Sequence, residues 1–125
     1  SNEAGGLFGE LRQALYTARL REMRPDALMP SEVVDLATVD GARCLGLDDV
    51  GRLEVGQRAD LAVWPGDDLA DIADPLAGLV LGPDRRVRHL LVGGRPVVTE
   101  GALTGVDLAA AHRDLAQRAR LLWEV

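Results

Sequence analysis

Apolar residues recur at three- and four-residue intervals through Leu7, Leu11, Ala14, Leu15 and Ala18, while Glu10, Arg12, Gln13 and Arg19 fall between them. A helix brings such positions onto one face, so the spacing predicts an amphipathic helix from Leu7 to about Arg21. Pro25 and Pro30 bracket a connector. Ser31 then reads as the cap of a second helix whose first turn carries Glu32, favourable at the positive helix end. Val33, Val34, Leu36, Ala37 and Ala42 through Leu45 supply its apolar surface, and Gly46 ends it.

Beyond Gly51 the pattern changes to short segments punctuated by glycine. Ala59 to Trp64 is nearly continuous apolar sequence apart from Asp60, which predicts a strand covered on both faces. The run V-R-H-L-L-V, then Gly93-Gly94, then R-P-V-V-T predicts a hairpin, because glycine accepts the positive φ of a two-residue turn. Pro96 has no ladder donor and belongs at a strand start or edge. Gly101 and Gly105 frame one more short segment. Asp107 reads as the N-cap of a closing helix bearing Leu108, His112, Leu115, Ala119, Leu122 and Trp123 on roughly one face. The stretch from Asp67 to Pro83 is ambiguous, a loop with one helical turn after Pro75.

Composition narrows the partners. A 125-residue chain of net charge −6 whose arginines are scattered among carboxylates does not suit nucleic acid or an anionic membrane. Arg85, Arg86 and Arg88 form the one dense basic run, read as a solvated loop leading into a strand. Cys44 is the sole cysteine, so it builds neither an intrachain disulfide nor a thiolate zinc site, which is compatible with a reducing cytoplasm. No apolar run approaches the length of a membrane span and no secretory apolar segment opens the chain, so a soluble, cytoplasmic protein is expected.

Individual chemical candidates are weak. His89 falls in the first hairpin strand with no second histidine or cysteine at alternating spacing, and His112 lacks the i, i+4 partner that grips zinc from one helix face. Asp67, Asp68, Asp71 and Asp74 lack the order of ligands, the central glycine and the terminal glutamate of a calcium loop, and read as a structural loop. Asp60 is expected to bond turn amides rather than abstract protons. Gly51 and Gly56 are not followed by the Lys-Ser/Thr of a phosphate loop.

The motifs say more in series than singly. G-R-L-E-V-G-Q-R-A-D-L-A-V-W, Gly51 to Trp64, resembles the G-x-[IL]-x-x-G-x-x-A-D-[IL]-x-[VL] segment that follows the catalytic barrel in the metal-dependent amidohydrolase superfamily. Ser1-Asn2-Glu3 with G-G-L-F-G-E-L-R-Q-A-L is similar to the S-N-[DE] segment and helix after the metal-binding aspartate, and Leu36 to Leu47 to the A-T-x-x-[GA]-A-x-x-L-G helix. D-P-L-A-G-L-V-L-G-P and V-R-H-L-L-V-G-G-R-P-V-V-T-E-G-A-L resemble the tail of 8-oxoguanine and hydroxyatrazine deaminases, in the branch of triazine hydrolases and cytosine deaminase. All these landmarks stand in the family order.

The resemblance implies an α+β architecture: terminal helices of a (β/α)8 barrel at residues 1–48, the C-terminal strands of a small β-sandwich at 49–105, and a closing helix at 106–125 packed back on the body. It implies hydrolytic deamination of a purine- or triazine-like ring by water activated on a divalent metal, zinc or iron. The family holds that metal with an H-x-H pair, two further histidines and an aspartate, and this sequence has only His89 and His112. The family aspartate is expected just before Ser1, so no catalytic or metal-ligating residue and no bound metal are expected in this chain, with Asn2 and Glu3 at most near the site rim. Taken alone the chain is expected to be inactive; in the full-length enzyme its partner is a small heteroaromatic substrate, with homo-oligomers possible. The competing reading is a free-standing noncatalytic β-module for protein–protein interaction. Leu7, Leu11 and Leu15 discriminate: they need a core within a self-sufficient module and face the missing barrel in a partial chain.

Overall fold

The computed structural model describes residues 6–123. Along the chain run α1 (Leu7–Glu22), α2 (Pro30–Ala37), α3 (Val39–Cys44), β1 (Leu61–Val63), a 3-10 turn (Asp67–Leu69), α4 (Pro75–Leu81), β2 (His89–Val92), β3 (Arg95–Thr99), β4 (Ala102–Leu103) and α5 (Leu108–Trp123).

Helix α1 forms where the periodicity predicts it. It closes on Met23 rather than glycine: Met23 takes a left-handed conformation, φ 52°, and Arg24 N–H donates back to the Arg19 carbonyl. The cap of α2 differs from expectation. Met29 is the N-cap and Pro30 the first helical residue, so Ser31 lies inside the first turn; the cap is served by Glu32, whose carboxylate accepts from Met29 N–H at 2.7 Å. Proline suits that first position because its missing N–H would be unpaired there anyway. The expected single second helix is broken at Thr38, whose hydroxyl donates to the Val34 carbonyl at 2.7 Å while its N–H turns to Asp35. A side chain that bonds the carbonyl four residues back competes with the helix ladder and bends it. Gly46, φ 70°, follows α3 as expected.

Leu15 and Val33 are fully buried, as is Val80 from α4, and with Leu11 they form the hydrophobic core, flanked by Phe8, Leu28, Val34 and Ala37. Leu11 and Leu15 therefore find a core inside the chain, as expected of a self-sufficient module and not of a partial chain whose first helix faces a missing barrel; Leu7 alone of the three stays open, 60 % exposed. The ambiguous segment is more regular than expected. Asp74 caps α4 by accepting from Ala77 N–H at 3.0 Å, and the helix runs to Leu81.

The strands form one antiparallel sheet in sequence order, β1-β2-β3-β4. Gly93 and Gly94 both have positive φ, 55° and 76°, and join β2 to β3 in the two-residue turn that matches strand twist. Leu90 pairs with Val98 but Leu91 with Pro96, so Val97 is bulged out, and Thr104 N–H bonds its carbonyl. Pro96, near the start of β3, lies beyond the reach of the two-residue β4. Glu100 and Gly101, φ 48° and 76°, make the equivalent turn to β4. Two expectations change here. β1 is three residues long with Ala62 and Val63 exposed, not covered on both faces. Helix α5 starts on Asp107, which accepts from Ala110 N–H at 2.9 Å, yet Leu108, Leu115, Leu121 and Leu122 are exposed rather than packed on the body.

Candidate functional site

The stretch Gly51 to Trp64 works as a joint between helices and sheet. Gly51 has φ 91°, and a Cβ there would stand 2.9 Å from Val39 Cα and 3.0 Å from the Thr38 carbonyl oxygen, so only glycine lets the chain pass the break between α2 and α3. Arg58 N–H donates to the Asp49 carbonyl at 2.7 Å, and its side chain pairs with Asp60 at 3.1 Å. Asp60 accepts from Gly93 N–H at 2.7 Å while the Ala59 carbonyl accepts from Gly94 N–H at 2.9 Å. Asp60 thus bonds a turn amide as expected, but the amide belongs to the hairpin 33 residues away. Trp64 meets Phe8 of α1 edge to face, ring centroids 5.3 Å apart.

The dense basic run is not a solvated loop throughout. The Arg85 side chain is only 9 % exposed; its guanidinium grips both oxygens of Asp68 at 2.6 Å and the Pro65 carbonyl at 3.1 Å. Those hydrogen bonds hold Asp68 below the usual carboxylate range and raise Arg85, with desolvation opposing both shifts. Arg12 of α1 pairs with Asp84 beside it. Arg88 and His89 share the Glu100 carboxylate, at 3.0 Å and 3.2 Å, and the Arg88 bond foremost holds Glu100 low. The sequence carries no signal for Asp84 as a partner, and the only one for Glu100 is its place in E-G directly after a strand, a position for a two-residue turn.

Seen as a metal centre, these groups do not converge. Among the described residues no three His, Cys, Asp or Glu side chains gather as a ligand set. His89 leans on Glu100, His112 and Cys44 are exposed on α5 and α3, Asp68 serves Arg85 and Asp74 caps α4. The donors present here do not fit a zinc site. Asn2 and Glu3, the candidate rim residues, lie outside the described residues. A cleft of about 250 Å³ lies against the joint between Val39, Arg43, Leu47 and Gln57, with Arg43 and Arg52 already paired to Asp40 and Glu54. No helix among the described residues is long and apolar enough to cross a membrane.

The comparisons with known proteins meet this geometry at its joint. Residues 1–97 match the model of the Amidohydrolase family, which contains the whole Gly51–Trp64 stretch and the first hairpin strand. The chain belongs to the amidohydrolase family. It is 41 % identical over 112 residues to an 8-oxoguanine deaminase of Pseudomonas aeruginosa, covering 88 % of this chain and 25 % of that protein. Against a 5-methylthioadenosine/S-adenosylhomocysteine deaminase of Halobacterium salinarum it is 36 % identical over 124 residues, 95 % of this chain and 28 % of the relative. Its fold is similar to that of an adenosine deaminase from Xanthomonas campestris with bound zinc, TM-score 0.86 at 27 % identity over 95 % of this chain and 28 % of the other. It is also similar to atrazine chlorohydrolase from Arthrobacter aurescens TC1 complexed with zinc, TM-score 0.78 at 30 % identity, covering 88 % and 25 %. The chain spans about a quarter of the length of these amidohydrolases.

Proposed function

We propose that this chain is the C-terminal share of a cytoplasmic, zinc-dependent aminohydrolase that deaminates a purine- or triazine-like ring. The observation that carries the proposal is 41 % identity to an 8-oxoguanine deaminase over 88 % of the chain, in landmarks that follow the family order. In this reading residues 1–48 are the last helices of the barrel, 49–105 the C-terminal part of the small sandwich and 106–125 the closing helix. Asn2 and Glu3 stand near the rim of the catalytic face. Zinc, carried by two of the solved relatives, belongs to the part of the enzyme that has no counterpart here.

The work of the described residues is support. Gly51 lets the chain pass the helix break, the Asp60 clasp fixes the hairpin, and the Arg85–Asp68 pair ties the loop before β2 to the 3-10 turn. Catalytic groups held to fractions of an ångström depend on such packed supports. Deamination assays on the enzyme in its full reading frame test the reading. Ammonia release from 8-oxoguanine or an aminotriazine by that enzyme, with none from the 125-residue chain, is the expected result. Turnover by the 125-residue chain itself, or none by the full enzyme on any aminopurine or aminotriazine, would overturn it.

A further inference from the structure

Between Gly51 and Gly56 the chain runs as a short irregular piece that lies outside the four-stranded sheet. The two glycines have φ 91° and 94°, so the backbone turns at each end and confines the segment to Arg52, Leu53, Glu54 and Val55. Arg52 and Glu54 meet 3.6 Å apart, which places them on one side of an extended chain and Leu53 on the other, 84 % exposed beside a wholly exposed Val55. Among the described residues neither the N–H nor the carbonyl of Leu53 has a hydrogen-bond partner, while the Glu54 carbonyl already accepts from Gln57 N–H at 3.2 Å. An open backbone edge that carries an exposed apolar residue is a template for pairing with another chain. The exposed leucines of α1 and α5 offer no such edge, because they stand on helices whose backbone is bonded within.

We propose that this segment is a self-pairing edge, through which two copies of this chain associate antiparallel about a two-fold axis at Leu53. Charge selects the partner. Antiparallel pairing centred on Leu53 sets Arg52 opposite the partner's Glu54 and Glu54 opposite the partner's Arg52. Parallel pairing would set like charges against each other, and a slip of one residue would set Leu53 against a charge. The Leu53 N–H of each copy donates to the Leu53 carbonyl of the other, which leaves the Glu54–Gln57 turn intact. In that register the flanking Arg–Glu pairs are the closely spaced ones of an antiparallel ladder. The Arg52–Glu54 contact within one chain, too long for a hydrogen bond, leaves the carboxylate free to accept from the partner's guanidinium. The paired surface is small, so the association is weak and depends on concentration.

Sedimentation equilibrium of the 125-residue chain at low salt tests this, at concentrations up to about 0.1 mM because so small an interface binds weakly. The chain as it stands should show a monomer–dimer equilibrium. Arg52→Glu and Glu54→Arg, each studied alone, place like charges across the axis and should weaken self-association about ten-fold. An equimolar mixture of the two variants restores opposite charges between chains, and association should return. Both variants have lost the attraction between residues 52 and 54 within one chain, so recovery in the mixture comes only from contact between chains. Slow amide exchange at Leu15 in each variant shows that the core is intact. A chain that stays monomeric throughout overturns the proposal. So does either variant associating as strongly as the parent, or a mixture no stronger than its components. Ammonia release plays no part in the readout, so the substrate assignment can fail while the pairing stands.

Discussion

The helical part and the sheet part of this chain are held together by different means. Leu11, Leu15, Val33 and Val80 form a closed apolar cluster between α1, α2 and α4, whereas the sheet buries only Val98 and leaves Val63, Val92 and Leu103 open. Its order comes from ladder bonds, two positive-φ turns, the Asp60 clasp and the Glu100 pairs. Burial is non-directional and strong, while exposed polar contacts are directional and individually weak. The comparison teaches that one part is held by its own core and the other by backbone ladders, turns and polar clasps.

The largest expected effect tests the helical side. Leu15→Ala should lower unfolding stability by about 2–5 kcal/mol in urea titrations, since a fully buried leucine leaves a cavity. Leu103→Ala in the sheet should cost under about 1 kcal/mol, and equal losses at both sites would erase the distinction. At the joint, Gly51→Ala should cost more than about 1 kcal/mol, because φ 91° strains any side chain and the new Cβ meets the Val39 backbone; thermal unfolding measures it. Asp60→Ala should cost about 1 kcal/mol and speed amide exchange at Gly93, while the core amides of Leu11 and Leu15 stay slow.

The smallest effect is electrostatic. Asp68 and Glu100 titrate below their ordinary values of 3.8 and 4.5 in the folded chain, chiefly through hydrogen bonds from Arg85 and Arg88. The unfolded chain therefore binds more protons on the acid side, so their contribution is whole above about pH 5 and fades as pH falls through those values. Arg85→Gln should flatten part of the acid limb of the chain's stability-against-pH curve, leaving the part due to Glu100. An unchanged limb would show that the Arg85–Asp68 pair holds nothing in solution.

Much of this was legible. Helix α1 follows from Leu7, Leu11 and Leu15, the hairpin from Gly93-Gly94, and the start of α5 from Asp107, because each is set by local backbone preference and side-chain spacing. The break at Thr38 was not, since Leu36 through Leu45 keep an apolar spacing across it and the competing hydroxyl bond shows only in three dimensions. Nor was the burial of Arg85, whose partner Asp68 stands 17 residues earlier in an acidic run that reads as solvated. The family was legible in the order of its motifs, while the rim residues Asn2 and Glu3 lie outside what the structure describes.

Sequence by itself determined helix α1, the β2–β3 hairpin, the start of α5, the family and the shortage of histidines, all of which depend on residue type and near spacing. Tertiary structure alone decided that Asp60 serves a glycine amide 33 residues away, that Gly51 must lack a Cβ, and that α1 carries a filled face and an empty one. The physical reason is distance along the chain: local preferences are written in neighbouring residues, but a contact between remote segments exists only once both have been placed.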